Sequence, residues 1–415
     1  MEDSTSRRTL LKAGLVTVAG PILGTAAQAQ PAAAPQEAGV FNLWIISDAH
    51  VGTDKAASAG IQHGLVGFKP PPVYPETLAN ALRQSESGGS FGGPPIPWEI
   101  ALNLGDYAGF WNAPEDEQGQ EVIRQYSVLK QHRREQIYNI GGNHDASPYG
   151  HPTSAGKEAN WWFRKWADPV GEHPETSGVD NAKRLYPIDG TWERYTFKVG
   201  NIRFLMMSDR NDLPYPVGRK AEGGASPAGA VTAETFAWWK GQVEAAHDDI
   251  VISCHHHMLR ETTVGSGDYE GVTKNADGTY RTGRYHGADG APEGASYLYF
   301  VGDKPKAQAF ESYFAEHPGA VDIWLGGHTH THPDDVLNGR SHIERKWGVT
   351  FVNCAQLSKF HGYVTCPPMS RHFTFTEGSK LVRARCYLHD DTHAAQGWYP
   401  NAERVIELSK PFRRA

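Results

Sequence analysis

Five short apolar runs, at residues 41–47, 100–104, 137–140, 250–254 and 321–325, punctuate the chain, and each stops at a polar loop. Their length and flanking glycines predict buried strands rather than helices. Between them lie helical patterns. Residues 75–84 place Pro75 in a first turn and Leu78, Ala81 and Leu82 on one narrow face. Residues 115–136 are charged and helical in spacing, and 154–166 set Trp161, Trp162 and Trp166 at near-helical intervals, which reads as core. Residues 232–246 start with a Thr cap, and 304–317 lead into the last of the five strands. Hairpins are predicted at 194–199 with 202–207, about Gly200-Asn201, and at 373–376 with 381–385, about Gly378; 349–353 is a further strand. The segments 53–97 and 259–303 read as loop insertions, the second carrying a small hairpin around 275–278 and placed as a substrate lid.

The strand ends carry the chemistry-bearing residues. The runs close on Asp48-Ala49-His50, Gly105-Asp106, Gly141-Gly142-Asn143-His144-Asp145, His255-His256-His257 and Gly326-Gly327-His328-Thr329-His330. Such ends are where an α/β sheet usually binds and reacts with its ligands. Zinc, manganese and iron accept imidazole nitrogen together with carboxylate or amide oxygen, whereas calcium and magnesium prefer oxygen alone. Asp48, His50, Asp106, Asn143, one histidine of 255–257, His328 and His330 supply seven such side chains. Seven exceed one tetrahedral site and suit two ions sharing a bridging carboxylate. Asp209, at the end of the first hairpin, either orients a ligand or caps a turn.

Composition narrows the function. The 415 residues carry a net charge of -7 and no long Lys/Arg run, so no nucleic-acid surface is expected. Cys254, Cys354, Cys366 and Cys386 form no Cys-x-x-Cys pair, and Cys254 sits inside a strand as a small buried residue. The amino terminus is more specific: Arg7-Arg8, a weak apolar stretch from 13 to 26, then Ala27-Gln28-Ala29. This resembles a twin-arginine export signal, too short and interrupted for a stable membrane span. Residues 1–29 are expected to be a signal cleaved after Ala29, 30–39 a flexible linker, and 40–415 one domain. The twin-arginine machinery is then a partner, the destination periplasmic or secreted, and folded export lets metal load in the cytosol.

Asp-x-His, Gly-Asp, Gly-Asn-His-Asp, a strand histidine and Gly-His-x-His, in this order over residues 41 to about 355, resemble the calcineurin-like metallophosphoesterase superfamily. The resemblance implies an α/β fold of two packed mixed sheets flanked by helices, a four-layer α-β-β-α sandwich. It also implies two divalent or trivalent ions (Mn, Fe or Zn), one held by Asp48, His50 and His330, the other by Asn143, His328 and a histidine of the triple run, with Asp106 bridging. The family often has proline two places after the strand histidine; Met258 stands there, which points to His256 and leaves His255 as the alternative. By the same resemblance a metal-bridging hydroxide attacks the phosphoester. His144 donates a proton or a hydrogen bond to the leaving oxygen; Asp145 either orients His144 or caps the loop, with capping preferred. The purple-phosphatase branch has a ligand tyrosine three places after the bridging aspartate; here that place is Gly109, and Tyr107 points elsewhere. A small organic phosphate mono- or diester is the expected substrate. The alternatives are an exported metal-dependent binding protein without turnover, and a nuclease of the same superfamily.

Overall fold

The computed structural model describes residues 39–51, 76–108, 114–145, 160–210, 229–267, 272–274, 280–282, 296–302, 304, 308–354, 356–358 and 367–414. Its strands are, in chain order, β1 (Val40–Ile46), β2 (Ile100–Asn103), β3 (Ile137–Asn139), β4 (Asp189–Gly190), β5 (Arg194–Val199), β6 (Ile202–Met207), β7 (Gly229–Val231), β8 (Ile250–His255), β9 (Val272–Lys274), β10 (Tyr280–Thr282), β11 (Leu298–Val301), β12 (Ile323–Gly326), β13 (Ile343–Lys346), β14 (Val349–Asn353), β15 (Met369–Thr376), β16 (Leu381–Leu388), β17 (Gly397–Trp398) and β18 (Arg404–Glu407). Two mixed sheets of seven strands dominate. The first runs β17-β16-β15-β1-β2-β3 with β18 also on β16; the second runs β13-β14-β12-β8-β6-β5-β4.

β1, β2 and β3 are parallel, as are β6, β8, β12 and β14. Within each sheet the central strands therefore share one direction, which gathers the loops leaving their carboxyl ends. The runs lack polar alternation because both faces are buried. Leu43 and Ile45 of β1 enter a core shared with Phe204, Ile252, Ile323 and Val352 of the second sheet. Trp44 and Ile46, on the opposite face, pack with Leu78, Leu82, Val122 and Trp162 of α1 (Thr77–Ser87), α2 (Asp116–Tyr126) and α3 (Trp161–Trp166). A short α4 (Pro174–Ser177) follows. The outer face of the second sheet covers Trp239, Phe310 and Phe314 of α5 (Ala233–Glu244) and α6 (Gln308–Glu316). The result is the α-β-β-α sandwich, an α/β fold.

The hairpin 194–207 forms at its expected bounds. Thr232 caps α5 by accepting the Thr235 N–H at 3.0 Å. The 115–136 pattern departs from expectation: the helix stops at Tyr126, and only Arg134–Gln136 returns as a 3₁₀ turn. The Glu86 carboxylate takes the N–H groups of Lys130, Gln131 and His132 at 2.8–2.9 Å, an alternative partner that draws this backbone out of the helix. Trp162 and Trp166 are buried in the core, as their spacing suggested, whereas Trp161 is only partly buried against it. β9 and β10 pair antiparallel, with the intervening turn outside the described residues. Also outside them lie residues 1–38 and 52–75, most of the 259–303 insertion, Gly109 and Cys366. Cys254, Cys354 and Cys386 are free and buried.

Candidate metal centre

The loops leaving β1, β2 and β3 lie against those leaving β8 and β12. The backbone knits them across the sandwich: Asp209 N–H donates to the Gly141 carbonyl (2.9 Å), Leu357 N–H to Ser47 (2.9 Å), and His328 N–H to Asp48 Oδ2 (3.0 Å). Two glycines permit the approach. A Cβ on Gly327 would meet Ser47 Oγ at 2.1 Å and Asp48 Oδ2 at 2.3 Å, and one on Gly142 would meet Asp106 Oδ1 at 2.2 Å. Asp48, His50, Asp106, His328 and His330 all have positive φ, between 43° and 71°. Non-glycine residues adopt this region at a cost of order 1–3 kcal/mol each. Five such residues in one place make a site assembled against local backbone preference.

The side chains converge. Asp48 Oδ1 lies 3.0 Å from His330 Nε2 and 3.6 Å from His50 Nε2; Asp106 Oδ2 lies 3.1 Å from His256 Nε2 and 3.7 Å from His50 Nε2. Four groups of three have all their ligand atoms within 4.8 Å of one another: Asp48, His50, His330; Asp48, Asp106, His256; His256, His257, His328; and His50, Asp106, His144. Asn143 is buried in the same turn, between Gly142 and His144, and the His144 N–H donates to Asp106 Oδ1 at 2.7 Å. The second nitrogens are tied back: His256 Nδ1 is 2.8 Å from the Leu104 carbonyl and His50 Nδ1 is 3.2 Å from that of Ala108. Such a contact on Nδ1 is the usual support for an imidazole that ligates metal through Nε2.

Burial would raise the Asp48 carboxyl, but the imidazoles of His256, His330 and His50 hold it well below the usual range. Burial also works against ionised Asp106, and His256 and His50 again lower it. For His256 burial acts downward, yet Asp106 and Asp48 lift it to about 10. Asp106 Oδ2 and His256 Nε2, both buried, make no hydrogen bond of good geometry. Two buried carboxylates ringed by imidazole nitrogen, with such atoms left over, fit divalent metal of the borderline class.

Asp145 caps. Its carboxylate accepts N–H bonds from Asp106, Tyr107, Ala108 and Gly142 at 2.7–3.0 Å, which fixes the β2 loop to the β3 loop. Burial and the nearby Asp106 charge push it up to about 7 against those four donors. Tyr107 turns away and donates to Asn139 Oδ1 at 2.5 Å. His255 also turns away: its Nδ1 accepts the His257 N–H at 3.0 Å and its Nε2 is 3.7 Å from Asp209 Oδ1. His257 enters the cage beside His256, a member the strand-histidine rule passes over, although the triple run signalled it.

The chain matches the calcineurin-like phosphoesterase family model over residues 41–332. No curated protein matches it. Among solved structures it is similar to a single mutant of Vps29 from Entamoeba histolytica (11% identity, 88% of this chain and 99% of that one, TM-score 0.29). It is similar too to vacuolar protein sorting 29 from Cryptosporidium parvum (12%, 90% and 99%, 0.29) and to Vps29 of Chaetomium thermophilum (8%, 89% and 100%, 0.27). At these scores the likeness decides nothing about fold or function, and the architecture rests on the strand order.

Proposed function

Since the chain belongs to the calcineurin-like phosphoesterase family, we propose that it is a hydrolase of phosphoesters with a two-metal centre, acting on a small organic mono- or diester. The observation that carries this reading is the convergence of Asp48, Asp106 and the surrounding imidazoles from both sheets at one buried point. Asp48, His50 and His330 would hold one cation, Asn143, His256 and His328 the other, with Asp106 between. When bound, the two ions supply Lewis acidity, a water acidified toward hydroxide, and net positive charge for an anionic ester.

The chain itself supplies alignment and a proton. His144 is anchored through its N–H on Asp106, its Nε2 is 4.0 Å from Asp106 Oδ2, and its ring stands edge-on to His50 at 4.8 Å between centroids. It is thus fixed beside the cage rather than inside the Asp48 set. As the P–O bond to the leaving group breaks, His144 gives a proton to the departing oxygen. That role separates a hydrolase from a protein that only binds metal, which has no use for a leaving-group acid. Metal analysis with chromogenic mono- and diesters tests the reading. Asp106→Asn should lose metal and turnover together; His144→Ala should keep metal and lose about 10²–10⁴-fold in kcat. Full activity of His144→Ala on an ester with a poor leaving group rejects the acid role.

Export by the twin-arginine route belongs to the same proposal, supported by Arg7-Arg8 and the small-residue site ending at Ala29. Replacing Arg7 and Arg8 by lysine should retain the protein in the cytosolic fraction; unchanged fractionation argues against it.

A further inference from the structure

Two residues of the second sheet, His257 and Asp209, take no part in the proposed hydrolysis. Asp209, just beyond the end of β6, is fully buried. Its Oδ1 accepts the Ala230 N–H at 2.7 Å, and its Oδ2 lies 3.9 Å from His257 Nδ1. The other side of the His257 ring faces the cage: its centroid is 4.0 Å from that of His328 and 5.1 Å from that of His256. The ligand atoms of these three histidines lie within 4.8 Å of one another. Gly229 makes room, since a Cβ there would meet the His257 ring at 2.6 Å. A ring packed only for its bulk needs no carboxylate behind it and no second imidazole in front.

We propose that His257, steered by Asp209, is an additional nitrogen ligand for the cation on the second-sheet side, so that this half of the centre holds three imidazoles. The inference rests on the two-metal reading and deepens it. Asp209 lies on the Nδ1 side of the ring, where its charge favours the proton on that nitrogen and leaves Nε2 for the ion, the arrangement that carboxylates behind ligating histidines impose. Nitrogen donors favour zinc over manganese more strongly than oxygen donors do. The second-sheet half therefore selects zinc-type ions, while the Asp48 half, with one imidazole fewer, discriminates less. Asp209 is a positioning residue here, acting through His257.

The test uses the full chain stripped with a chelator and titrated calorimetrically with Zn²⁺ and with Mn²⁺, alongside visible spectra of the Co²⁺-loaded protein. In His257→Gln one Zn²⁺ equivalent should weaken by about 10–100-fold while Mn²⁺ changes little, and the Co²⁺ bands should shift. Asp209→Asn, which keeps an acceptor for Ala230, should move Zn²⁺ affinity the same way and to a smaller extent. It serves as the deciding variant if His257→Gln does not fold. Zn²⁺ isotherms and Co²⁺ spectra like wild type, or equal losses for Zn²⁺ and Mn²⁺, overturn the proposal. A wild-type chain that binds no cation overturns instead the two-metal function, so the two failures are distinguishable.

Discussion

The two sheets bring unlike chemistry to one point. The first contributes both cage carboxylates, Asp48 and Asp106, with Asn143, His50 and His144; the second contributes only imidazoles, His256, His257, His328 and His330. Alone, the first set would hold two buried negative charges close together, and the second a set of imidazoles with neither cage carboxylate to face. Each makes the other tolerable. The centre is therefore a property of the closed sandwich, and its integrity reports on how the sheets meet.

Three measurements press on that contrast. The largest effect should come from Gly327→Ala, which drives a methyl from the second sheet's loop into Ser47 and Asp48 of the first. Overpacking of this kind costs about 1–3 kcal/mol, and at this contact it should weaken cation binding at least about 100-fold through misplaced Asp48. Wild-type isotherms in that variant would mean that the sheets need not approach so closely.

Acid should have the next largest effect, and it bears on the first sheet. His372 and His389 lie on and just beyond strands unique to that sheet, and burial holds both near 3, below their ordinary 6.5. His372 is kept uncharged between the Arg385 guanidinium, from which Nδ1 accepts, and the Pro97 carbonyl. Between pH 6.5 and about 3 the unfolded chain takes up these protons and the folded chain does not. Stability is thus fully present above 6.5 and falls with acid by about 1.4 kcal/mol per pH unit for each residue. Urea unfolding at pH 7 and pH 5 should differ by about 2 kcal/mol per histidine, and His372→Gln should remove one share. An unchanged pH slope in that variant contradicts the assignment.

Ser208→Ala should be mildest. Its hydroxyl accepts the Gly141 N–H at 3.1 Å and donates to the Trp192 carbonyl at 2.8 Å, linking β6 to the loop after β3. Loss of about 1 kcal/mol with near-normal metal binding is expected in thermal melts and titration.

The central strands were legible because burial on both faces leaves unbroken apolar runs, and the glycines at their ends mark where backbone must pass close to a ligand. Glu86 was not: its capture of three N–H groups from the 130–132 segment is a contact between distant segments that no local pattern encodes. Strands β17 and β18 are short and partly exposed, and β7 and β11 are hidden in or beside glycine-rich sequence, so none has a run to read. In the site, residue types and order showed which side chains could bind metal. Which of three successive histidines face the cage depends on the twist of the chain beyond β8, and the positive φ of Asp48, His50, Asp106, His328 and His330 is set by the assembled loops.

β15 pairs antiparallel with β1 along most of its length, and Ser370 accepts the indole N–H of Trp44 from 326 positions away. The strand that leads into Asp48 and His50 is made long before one of its two neighbours. During synthesis it must wait as an open edge, able to pair with other chains, until the carboxyl-terminal hairpin emerges. Over that interval β1 carries one row of unpaired backbone groups, and a chain cut short before β15 lacks the strand that covers it.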